Sequence, residues 1–160
     1  MTIYVECKAD RALVSAVTRV ARRDIVHELK GKYEVCIRVA KQQSCTALID
    51  EDPGAIVPPY VRRLRQTAGG EDMIEDGLTV LDDSARGNRV VIVCPRLEQW
   101  VLAAAKGVGT DVRAYGLPTG ELELHRQVNE RLDQFSGLLE ALKSERSPRL
   151  SRLGKLLSGA

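Results

Sequence analysis

Hydrophobic positions along this chain recur in two rhythms, one helical and one alternating. Residues 3–7 form a short β-rich run, after which Leu13, Val14, Val17 and Val20 repeat at helical spacing. Asp10 stands where a helix N-cap would, so the chain opens strand, turn, helix. Residues 24–29 either extend that helix or form a short turn before Gly31. In residues 33–40, Val35, Ile37 and Val39 alternate with Glu34, Cys36 and Arg38, which predicts a second strand. Residues 46–49 are continuously apolar, as expected of a central strand covered on both faces.

Pro53-Gly54 marks a turn, and Pro59 suits the first turn of a helix running to about residue 67, stopped by Gly69-Gly70. Residues 71–76 read as an acidic loop, 78–81 as a short strand and 90–93 as a second buried strand. Pro95 breaks that run before a helix over 97–106, which Gly107 and Gly109 stop. Strands separated by helical segments predict an α/β fold, a mostly parallel sheet with helices on both faces. Ligands of such sheets collect at the C-terminal ends of the strands. After Pro118 the pattern becomes helical only, a long helix over 122–142 and a basic amphipathic one over 147–160. The expected division is a domain over 1–117 and a C-terminal helical extension over 118–160.

A length of 160 residues suffices for one domain with a real core, and 44% apolar with 29% charged residues places it among soluble globular chains. The net charge of +2 is too small to argue for a polyanionic partner. The four cysteines form no CxxC pair, and three sit in apolar runs, which predicts reduced, structural thiols. No stretch approaches the ~18 apolar residues of a membrane span. The first residues lack the apolar core of a signal peptide, so the expectation is a cytoplasmic protein with no membrane partner.

The chemistry concentrates in carboxylates. Asp50 and Asp52 end the apolar run at 46–49, and alternate residues of an extended chain share a side. Glu6 ends another β-rich run, so a parallel sheet could bring three acids together. Oxygen donors of this kind suit a hard divalent cation such as magnesium. Tyr4-Val5-Glu6-Cys7-Lys8-Ala9-Asp10, followed later by Leu48-Ile49-Asp50-Glu51-Asp52-Pro53, resembles the TOPRIM domain of topoisomerases, primases, ribosomal RNA maturases and the overcoming-lysogenisation-defect nucleases. Many members carry glycine where this chain has Cys7.

The segment Pro95-Arg96-Leu97-Glu98-Gln99-Trp100-Val101-Leu102 looks like a patch found in TOPRIM nucleases of phage-defence systems. The resemblance implies that Glu6, Asp50 and Asp52 hold Mg2+ or Mn2+ and that Glu98 is a fourth catalytic acid. It also implies a nuclease acting on DNA or RNA, an effector of antiviral defence. Lys8, Arg62 and Arg63 are the candidate nucleic-acid contacts. His27 and His125 have no partner pattern of a triad, and Trp100 reads as core. The competing reading is a catalytically inactive TOPRIM-like binding or regulatory subunit. In either, the C-terminal helices offer a surface for a protein partner or a homodimer, unless their apolar stripe folds back on the sheet.

Overall fold

The computed structural model describes residues 1–27, 31–67 and 74–159. Thr2–Val5 is strand β1 and Lys8–Val17 is helix α1. The helix starts earlier than an Asp10 cap would set it, because Cys7 is the N-cap and Asp10 the third helical residue. Cys7 Sγ accepts from the Asp10 amide at 3.4 Å and Asp10 Oδ2 from the Cys7 amide at 3.0 Å, closing a capping box. The stretch expected as a helical extension or turn instead holds a 3-10 turn, Arg22–Asp24, and strand β2, Ile25–His27. Three residues are too few to display a period.

Lys32–Ala40 is helix α2, not the strand predicted from its alternating valines. Its buried residues are Val35, Cys36 and Val39, one helical face, while Ile37 is exposed. Topology overrides β propensity here: α2 carries the chain from β2 to strand β3, Cys45–Asp50, and both strands run parallel to β1. A parallel connection must cross over the sheet, and a helix does so with its backbone satisfied.

Helix α3, Pro59–Thr67, begins on its proline as expected. The Gly69-Gly70 stop and residues 71–73 lie outside the described residues. Within the expected acidic loop, Ile74–Glu75 forms a short strand, β4. Strands β5, Leu78–Asp83, and β6, Asn88–Val93, follow, then helix α4, Leu97–Gly107. Helices α5, Glu121–Gln127, α6, Leu132–Ser144, and α7, Pro148–Ser158, complete the chain. The single helix expected over 122–142 is therefore two, broken between α5 and α6.

The strands form one sheet in the order β2-β1-β3-β6-β5-β4. The first four are parallel, and β5 and β4 add antiparallel at the far edge. Alternation divides the central strands between two cores. Ile3, Val5, Leu48, Val91 and Val93 pack beneath α1, α4 and the C-terminal helices. Tyr4, Ala47, Ile49, Val90 and Ile92 pack beneath α2 and α3. Helices cover both faces.

The segment expected as an extension is a layer of this fold. Leu124, Phe135, Leu139, Leu150 and Leu153 enter the same core as Ile3 and Leu13. Helix α7 crosses α1 so closely that a Cβ on Gly154 would lie 2.5 Å from the Val17 carbonyl oxygen. The four cysteines are unbridged. Among the described residues, no helix is long and apolar enough to cross a membrane.

Candidate active site

Strands β1, β3 and β6 end on the same edge of the sheet, so the residues that follow them converge. The chain leaves β1 for β2 on one side and returns to β3 on the other, which opens a crevice at the switch point. Glu6 follows β1, Asp50 ends β3 and Glu98 lies in the first turn of α4, just beyond β6.

Each of these three acids is held by a partner from another segment of the chain. Glu6 Oε1 accepts from the Asp50 amide at 2.7 Å. Asp50 Oδ1 accepts from the Leu97 amide at 3.0 Å, one of the N–H groups at a helix start that lack an intrahelical partner. Glu98 Oε1 lies 3.1 Å from His125 Nδ1 on α5, while its Oε2 is buried without a protein partner.

Asp10 joins them. Buried in the first turn of α1, it raises the proton affinity of both Glu6 and Asp50 and feels the charge of Glu98 in turn. Burial pushes Asp50 up to about 9, with the charges of Asp10, Glu6 and Glu98 adding to the effect. Burial likewise raises Glu6 to about 7 and Asp10 to about 6, against hydrogen bonds that favour the ionised forms. Four acids thus share one field.

Asp52 is turned elsewhere. The strand ends at Asp50, and Asp52 takes a left-handed conformation with φ 54°, so the alternation expected of the pair does not extend to it. Its amide donates to the Pro95 carbonyl at 2.9 Å, and its carboxylate pairs with Arg96 at 2.7 Å and Lys32 at 3.7 Å. Of the three expected metal ligands, Glu6 and Asp50 come together with Glu98, and Asp52 faces cations.

Among the described residues, no three His, Cys, Asp or Glu side chains stand together closely enough to hold a metal ion as arranged. The donor chemistry fits a hard divalent cation all the same: buried carboxylates at a strand-end crevice, one of them with an oxygen that nothing in the protein satisfies. Glu6, Asp50 and Glu98 are the side chains that would hold it.

Lys8 opens α1 two positions beyond Glu6 and is exposed. Arg63 pairs with Asp83 at 3.2 Å and lies 5.1 Å over the Tyr60 ring. Asp83 is opposite Asn88, the first residue of β6, so Arg63 sits toward the end of the sheet remote from the acids. Arg62 is exposed on the same helix. A cleft of about 210 Å³ beside Asp50 is lined by Lys32, Asp52, Val57, Val61 and Arg65. A larger one, about 710 Å³, lies by Ser44, Asn88 and Arg89 at the opposite strand ends and touches none of the four acids. The smaller is the one placed for chemistry.

Asp10 stands four positions after Glu6, a spacing that marks it as a possible partner once a helix is known to start between them. His125, Arg96 and Lys32 carry no local signal, because their contacts join segments distant in sequence and exist only through the fold. The same holds for Asn129, whose Oδ1 accepts from the Ala9 amide at 3.1 Å. Comparison with protein-family models, curated proteins and solved structures finds no match to this chain.

Proposed function

We propose that this chain is a metal-dependent nuclease of the TOPRIM type, hydrolysing phosphodiester bonds in DNA or RNA with Mg2+ or Mn2+. A role as the effector of a defence system belongs to the same reading. One observation carries it: Glu6, Asp10, Asp50 and Glu98 are held in a single field at the C-terminal ends of parallel strands, and burial strains the ionised state of three of them. Such a cluster is relieved either by protons or by a cation. When bound, a divalent ion polarises a phosphate and lowers the pKa of its water. Lys32 and Arg65 line the adjoining cleft, where positive charge would meet a polyanion, and Lys8 is exposed at the start of α1.

The test is a nicking assay on plasmid and on RNA with either ion, comparing the wild type with Glu6→Ala and Asp50→Ala. Both variants are expected to fall to background. Cleavage unaffected by these changes would sink the assignment.

A second reading, a TOPRIM-like binding or regulatory subunit without catalysis, is favoured by the pairing of Asp52 with Arg96 and Lys32. It predicts salt-sensitive oligonucleotide binding with no cleavage under either ion. A protein partner or second copy at the C-terminal helices would meet their polar sides, since Leu139, Leu150 and Leu153 are committed to the core.

A further inference from the structure

The three acids at the strand ends are held by donors that differ in kind. Glu6 and Asp50 are fixed by backbone amides, which substitutions other than proline leave in place. Glu98 is fixed by a side chain, His125, from a helix of the C-terminal layer. The Glu98 side chain is 5% exposed and that of His125 is 59% exposed, so the contact joins a buried acid to a ring at the surface. As a carboxylate Glu98 only accepts, which places the ring proton on Nδ1.

We propose that His125 is the positioning residue of the site. By taking Oε1 it leaves the buried Oε2 of Glu98 as the oxygen without a partner, on a carboxylate whose charge reaches Asp10 and Asp50. This inference rests on the metal-site reading above and deepens it: α5 belongs to the site, and Glu98 presents one aimed oxygen rather than a free carboxylate. Donors that orient a ligating carboxylate in this way are worth about 10- to 100-fold in metal affinity. A freely rotating Glu98 would spread its second oxygen over orientations that do not bind. The ordinary alternative is that His125 merely accompanies a buried acid, contributing to fold stability and nothing else.

The two are separated by titrating Mn2+ against the folded chain and reading the midpoint of its stabilisation by differential scanning fluorimetry, without turnover. His125→Ala, and His125→Leu as a bulkier change also lacking a donor, are expected to raise the midpoint at least about tenfold. His125→Asn, whose amide can donate from near the Nδ1 position, is expected to restore it. His125→Ala combined with Glu98→Gln is expected to shift no further than Glu98→Gln alone. Equal midpoints in wild type and both donor-less variants, or a fall in metal-free Tm with no change in midpoint, would overturn the inference. A wild-type response that is lost in Glu6→Ala but untouched in His125→Ala overturns it while leaving the metal site standing. A wild type that responds to neither Mn2+ nor Mg2+ overturns both.

Discussion

The surroundings of Asp50 resist its ionisation. Its folded pKa, about 9, lies above its ordinary value of 3.8, so folding takes up a proton there between those limits. The stability it contributes is complete below about pH 4 and is lost as the pH rises through about 9. Glu6 and Asp10 act with the same sign, up to about 7 and about 6. In EDTA the Tm is therefore expected to fall as pH climbs from 4 to 9, and Asp50→Asn, which keeps the acceptor for the Leu97 amide, to flatten that fall and exceed the wild type at pH 8. Thermal melts across this range check it, and a Tm that rises with pH in the wild type contradicts it. Binding of a divalent ion should reverse the dependence, because the ion must displace those protons. Calorimetry in buffers of different ionisation enthalpy is expected to record proton release at pH 7.

At the scale of elements, what could be read in advance depended on where the constraint resides. Strand β3, helix α3 on its proline and helix α4 after Pro95 are written locally, and they stand as expected. Helix α2 is not, since Val35, Ile37 and Val39 favour a strand until the demand for a crossover between parallel neighbours is imposed. The acids divide likewise. Glu6, Asp50 and Glu98 lie at element ends, and Asp50 feels the charge of both others, whereas Asp52 is turned away by its own left-handed backbone beyond the strand. Gly154 illustrates a constraint of packing alone. Overpacking against Val17 costs about 1–3 kcal/mol, offset in part by the ~1 kcal/mol that alanine gains over glycine in a helix. Gly154→Ala is expected to lower stability by up to about 2 kcal/mol in urea unfolding, although the helix itself is favoured.

Across the whole molecule, the C-terminal helices are the second wall of the core. Ile3, Val5 and Leu13 share their core with Phe135, Leu139 and Leu153, so residues 1–117 alone leave the layer of α1 and α4 without its outer cover. That fragment is expected to lack the near-UV circular dichroism of packed aromatics and to unfold without a cooperative urea transition. A sharp transition would show that the two parts are separable. The bond from the Ala9 amide to Asn129 has a further consequence, since it ties the start of α1 to a turn 120 positions downstream. Synthesis runs from the N-terminus, so Glu6 and Asp10 leave the ribosome long before the side chain that secures their helix exists. The acidic crevice is then among the last features of the molecule to acquire its shape, and a half-made chain carries these acids before the bond that ties their surroundings together can form.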